Sequence, residues 1–117
     1  MNTFALMQNL LESAQRLAGQ NGRITALFVA VGELLNVDDD EWRSVWERLV
    51  AGTGAEGAHL HIRRVPAEFS CMICRRLFRS EQREPVCPYC GSMGVKIEHG
   101  EECSLEAIEL ENGIRLP

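Results

Sequence analysis

Apolar positions along this chain change their period from segment to segment, and each period predicts an element. Between Phe4 and Ala18, the residues Met7, Leu10, Leu11, Ala14, Leu17 and Ala18 share one helical face, the three-and-four spacing of an amphipathic helix. GQNG, residues 19–22, supplies a stop. RITALFVAV, residues 23–31, is apolar at both parities and rich in β-branched residues, which predicts a central strand covered on both sides. A second helix opens at Asp38, Asp39, Asp40 and Glu41. Carboxylates there meet the positive end of the helix dipole, and Asp38 with Glu41 has capping-box spacing. Trp42, Val45, Trp46 and Leu49 form its buried stripe, a tryptophan pair predicted to be core rather than a binding box, and Gly52 ends it. Ala58, Leu60 and Ile62 then alternate with His59, His61 and Arg63, the pattern of a strand with one wet face.

Pro66 introduces a cysteine-bearing stretch from about Phe69 to Gly100, and SLEAIELE, residues 104–111, predicts one more strand. The expected fold is α+β: two helices packed on a small sheet, with a four-cysteine module inserted before the last strand. The boundaries place residues 1–66 and 101–117 in the helix–sheet domain and 67–100 in the module.

Composition narrows the class. A chain of 117 residues suits one domain carrying a small module. With 45% apolar and 25% charged residues and only four prolines, it is globular rather than disordered. The net charge of −5 argues against a general nucleic-acid binder. Charge is nonetheless unevenly spread: Arg75, Arg76, Arg79 and Arg83 sit in the cysteine segment, while Glu98, Glu101, Glu102, Glu106, Glu109 and Glu111 crowd the C-terminus. Such polarity suits docking to protein partners, or simply two solvated faces. No apolar run approaches ~18 residues, and the N-terminal segment lacks the basic region and small-residue cleavage site of a signal peptide. Five cysteines, four of them in CxxC pairs, fit a reducing compartment. The expected location is the cytoplasm.

The chemistry concentrates in Cys71-Met-Ile-Cys74 and Cys87-Pro-Tyr-Cys90, separated by 12 residues. Each pair predicts a knuckle whose sulfurs converge on one ion, and two knuckles complete a tetrahedron. Thiolates in fourfold coordination favour Zn(II), and a full set of protein ligands leaves no position for substrate, so the site reads as structural. Gly91 permits the positive φ that such turns use. A redox pair and an iron–sulfur centre are the rival chemistries. Cys103 lies outside both knuckles and reads as a small buried hydrophobe. No phosphate-cradling glycine loop and no catalytic Cys–His pairing is present, so an enzyme is not expected.

VGELLNV (31–37), GTGAEGAHLHI (52–62), the two CxxC pairs and GEECSLEAIELE (100–111) together resemble the HypA/HybF family, which matures nickel–iron hydrogenases. The resemblance implies a nickel-binding domain of two helices on a three-stranded sheet, and a zinc module held by Cys71, Cys74, Cys87 and Cys90. It implies delivery of Ni(II) to a hydrogenase large-subunit precursor, together with a partner GTPase, and in some organisms service to urease. The family begins Met-His-Glu, and its nickel site uses that His with nearby main-chain nitrogens. This chain begins Met1-Asn2-Thr3. Imidazole is a good ligand for Ni(II), whereas a side-chain amide is a poor one.

Three readings follow. In the first, the chain is a nickel metallochaperone whose site is weaker or relocated. His59 and His61, i and i+2 on one strand face, are the alternative ligands, with His99 a further candidate; their plain reading is exposed polar residues. In the second, it is a divergent paralogue without nickel, a zinc-stapled adaptor or subunit of a hydrogenase-type complex. In the third, Arg75, Arg76, Arg79 and Arg83 of a zinc ribbon contact nucleic-acid phosphates, a reading weakened by the net acidity and by aromatics limited to Phe69, Phe78 and Tyr89. A homo-oligomer is compatible with the sequence.

Overall fold

The computed structural model describes residues 3–82 and 84–117; Met1, Asn2 and Arg83 lie outside the described residues. Helix α1 (Thr3–Ala18) is followed by strand β1 (Ile24–Gly32), a single 3-10 turn (Glu33–Leu35) and helix α2 (Asp39–Val50). Six short strands complete the chain: β2 (His59–Val65), β3 (Glu68–Cys71), β4 (Leu77–Arg79), β5 (Val95–His99), β6 (Cys103–Leu110) and β7 (Arg115–Leu116). They form two sheets, one ordered β2-β1-β6-β7 and the other β4-β3-β5.

Contacts divide the chain into two compact units. The first comprises residues up to 30, 37–63 and 103–117; the second comprises 31–36 and 64–102. In the first, α1 packs on β6 and on α2, burying Met7, Leu10, Leu11 and Ala14 from α1, Trp42, Trp46 and Val50 from α2, and Ile108 and Leu110 from β6. Asp38 caps α2: one of its carboxylate oxygens accepts from the Asp40 and Glu41 amides at 2.9 and 3.2 Å, satisfying two donors that a helix start leaves orphaned. The Trp46 indole N–H donates to the Ala58 carbonyl at 3.1 Å, so its one polar atom is satisfied inside the core.

Strand β1 is central in its sheet and buried on both parities, with Leu27, Val29 and Val31 on one and Ile24, Ala26 and Ala30 on the other. On the latter Phe28 is half-buried, its ring stacked on His61 at 4.6 Å and capped by the Arg115 guanidinium at 4.1 Å. Surface side chains supply that cover. The sheet has four strands where the family resemblance implies three, because Arg115–Leu116 pairs with Ile108 and Glu109. A two-residue strand is too short for any alternation to reveal it.

The second unit is built around a small apolar cluster of Ala67, Phe69, Cys71, Phe78 and Cys87, flanked by Leu34, Cys74, Val95 and Ile97. Strand β3 pairs antiparallel with both β4 and β5, which stacks Phe69 on Phe78 at 5.7 Å. Gly32 and Gly100 meet backbone to backbone: a Cβ on Gly32 would lie 2.0 Å from the Gly100 carbonyl. Gly32 N–H donates to the Glu102 carbonyl at 2.7 Å, and Leu34 N–H to that of Gly100 at 2.9 Å. Only glycine permits that approach.

Candidate metal centre

The two knuckles share one hydrogen-bond pattern. Cys71 N–H donates to the Arg76 carbonyl at 3.0 Å, and Arg75 N–H to the Cys71 carbonyl at 2.9 Å. Sixteen residues on, Cys87 N–H donates to Ser92 and Gly91 N–H to Cys87, both at 2.9 Å. The turn needs a left-handed residue after its second cysteine. Gly91 fills that position with φ of 75°; in the first knuckle Arg75 does, with φ of 65°, a strained conformation for a side chain with a Cβ.

These turns bring the four sulfurs within 4.8 Å of one another. Cys71 Sγ lies 3.5 Å from Cys90 Sγ, and Cys74 Sγ lies 3.7 Å from Cys87 Sγ. A tetrahedron with Zn–S bonds of ~2.3 Å has S···S edges of about 3.8 Å. The spacing therefore fits one ion, and the soft, all-thiolate donor set fits Zn(II). All five cysteines are free thiols. Cys71 and Cys87 are buried, Cys74 is intermediate, and Cys90 opens to solvent.

Backbone amides prepare the cluster for charge. The Cys74 N–H aimed at Cys71 Sγ, at 3.4 Å, leads the effects that hold the Cys71 thiol well below the ordinary value, at about 6. Burial opposes ionisation of Cys87, but the Cys90 and Tyr89 amides outweigh it and lower its pKa too. At Cys90 the Ser92 amide favours the thiolate; the neighbouring Cys71 sulfur, with burial and the other thiols, overcomes it and pushes the pKa up to about 11. Each knuckle thus holds one thiol shifted toward ionisation, Cys71 and Cys87, while Cys90 is shifted the other way. Affinity should rise with pH.

The other candidate residues lie elsewhere. His59 and His61 are exposed, with ring centroids 6.3 Å apart. Among the described residues, no third His, Cys, Asp or Glu gathers with them as the four cysteines gather. His61 is also stacked against Phe28, a contact that only the pairing of β1 with β2 could reveal. His99 Nδ1 pairs with Glu102 at 3.0 Å. Burial works against the Glu102 carboxylate, but the Gly100 amide and then His99 hold its pKa below the ordinary value. Cys103 is half-buried, and desolvation pushes its thiol up, as packing without reactivity requires. Met1 and Asn2, at the family's nickel position, fall outside the described residues; Thr3 begins α1.

The profile of the family described as "Hydrogenase/urease nickel incorporation, metallochaperone, hypA" matches residues 1–110. The chain belongs to the HypA family. Among its HypA-family relatives, the hydrogenase maturation factor HypA of Geobacter sulfurreducens is 35% identical over 111 residues, covering 95% of this chain and all of the relative. The factor HybF of Escherichia coli K12 is 31% identical over 113 residues, with 95% and 100% coverage. The solution structure of the nickel metallochaperone HypA from Helicobacter pylori superposes with a TM-score of 0.68 at 24% identity, over 94% of this chain and 97% of that one. That structure supports the HypA fold: two helices, mixed sheets and a four-cysteine module. No helix among the described residues is long and apolar enough to cross a membrane.

Proposed function

We propose that this chain is a nickel-incorporation factor that holds one structural Zn(II) through Cys71, Cys74, Cys87 and Cys90 and hands Ni(II) to a hydrogenase large-subunit precursor. A maturation GTPase would be its partner, and the cytoplasm its place. The observation that carries this reading is the family match across residues 1–110, which spans both compact units rather than the cysteine module alone. Residues 1–66 and 101–117 would form the nickel-handling domain, and 67–100 the zinc module. Zinc fills its tetrahedron with protein ligands and so holds the knuckles in place without chemistry of its own. Nickel is cargo: it must bind and leave again, which suits a few nitrogen ligands rather than a closed thiolate cage.

One observation favours a second reading. Asn2 stands where the family carries His, so the chain would keep the zinc-stapled scaffold and dock without carrying nickel. Metal analysis of the purified protein, then nickel titration of the zinc-loaded form, separates the two. One zinc plus nickel binding near ~1 μM supports the chaperone, and Asn2→His should tighten that affinity. If His59→Ala with His61→Ala abolishes binding, the site has moved to β2. One zinc and no nickel leaves the adaptor.

A further inference from the structure

Exposed large apolar side chains are not scattered evenly over this protein. Of the nine among the described residues, six lie in the cysteine unit: Met72, Ile73, Leu77, Val86, Tyr89 and Met93. Met72 and Ile73 are the tip of the first knuckle, and Tyr89 is on that of the second. The knuckles are bound together by their sulfurs, and Met72 N–H donates to the Gly94 carbonyl at 2.9 Å, so Met93 adjoins the same tip. Exposure reaches 58% for Met72, 70% for Ile73 and 83% for Met93. Met72, Ile73, Tyr89 and Met93 thus gather exposed apolar surface at the knuckle tips, the kind of surface that interaction sites present.

The rim is cationic. The Arg76 guanidinium lies over the Tyr89 ring at 4.8 Å, and Arg75 is held at the tip by its left-handed turn. No carboxylate among the described residues forms a salt bridge with Arg75 or Arg76. We infer that the knuckle tips form a docking surface for an acidic, apolar segment of a partner protein. Met72, Ile73 and Met93 would enter its apolar side, and Arg75 and Arg76 would meet its carboxylates. Methionines repack around different partners at low cost. Nucleic acid fits less well, because bases need aromatic platforms and the one exposed aromatic here, Tyr89, is already covered by Arg76. The inference is independent of whether the chain carries nickel.

The test uses the full, zinc-loaded chain labelled with nitrogen-15. The probes are a synthetic amphipathic peptide of leucine and glutamate, its twin with lysine for glutamate, and generic single-stranded and duplex oligonucleotides. The acidic peptide should shift amides of residues 72–76, 89 and 93, with binding weakened by added salt. Replacing Ile73 and Met93 together by Ser should weaken it by about tenfold or more, at unchanged zinc content. Arg76→Glu, which leaves every apolar contact and all four cysteines in place, should weaken it as well. Absence of binding, equal binding of the lysine twin, preference for an oligonucleotide, or concentration-dependent self-association through these residues would each overturn the inference.

Discussion

Replacing Cys87 by Ser asks how much of the fold the ion holds. Besides its cysteines, the buried cluster of the second unit contains only Ala67, Phe69 and Phe78. Burying two phenylalanines contributes about 3–6 kcal/mol. A structural Zn(II) contributes roughly 10–16 kcal/mol in small zinc modules, and the loss of one of four thiolates removes most of that. The Cys87→Ser protein should therefore lose the second unit while the first keeps its own core. The reporters belong to different units: both tryptophans, Trp42 and Trp46, are 2% exposed on α2 in the first unit. Hydrogen exchange read by mass spectrometry should show residues 68–99 exchanging rapidly, while tryptophan emission stays that of the native protein. Chelating the metal from the unsubstituted chain should give the same pair of results. Retained protection in 68–99 would refute the energetic comparison, and a red-shifted emission would show that the two units unfold as one.

Other expectations rest on single contacts. Asp38→Ala removes the acceptor for two amides at the start of α2 and should cost about 1 kcal/mol in urea unfolding. Arg75→Gly relieves a positive φ of 65° and should stabilise the zinc-loaded form by about 0.5–1 kcal/mol in the same assay. Gly32→Ala would force a Cβ to 2.0 Å from the Gly100 carbonyl, so a loss of about 3 kcal/mol or more is expected, visible as a lowered melting temperature. The Arg63 guanidinium, bonded to both carboxylate oxygens of Glu106 at 3.0 and 2.9 Å, holds that carboxyl below its ordinary value of 4.5. A depressed carboxyl stabilises above its unfolded value and ceases to as pH falls through the folded one. The native protein and Glu106→Gln should differ near neutral pH, converge as pH falls below 4.5 and through the depressed folded value, and differ less in high salt.

The long elements were legible because their periodicity spans many residues. The helix expected from Phe4 to Ala18 runs from Thr3 to Ala18, and the strand expected over 23–31 is Ile24–Gly32. The carboxylate run did mark the start of α2, with Asp38 as its cap. Strands β3, β4 and β5 were not legible. They are three to five residues long and carry cysteines and charges; their pairing is set by contacts distant in sequence, with a register shift between Glu68 and Phe69. At the candidate metal centre, spacing picked out the four sulfurs that the structure gathers, because a CxxC turn is local. Arg75 taking the conformation that glycine takes in the second knuckle could not be read, since nothing in an arginine favours it. The stacking of His61 on Phe28 and the capping by Arg115 both depend on which strands are neighbours.

The 3.5 and 3.7 Å sulfur pairs join cysteines from opposite knuckles, Cys71 to Cys90 and Cys74 to Cys87. A disulfide bond measures ~2.05 Å, so each pair is within about 1.5 Å of bonding. A bound metal keeps these thiolates occupied; once it is stripped, air or peroxide can oxidise them across the knuckles, and the bridged form has no thiolates left to ligate. Metal loss would then become a one-way event until a reductant reopened the bridges. A zinc ion held there would shield the four sulfurs from oxidation as well as hold the knuckles together, and a preparation made without reductant would record its history of exposure in its zinc content.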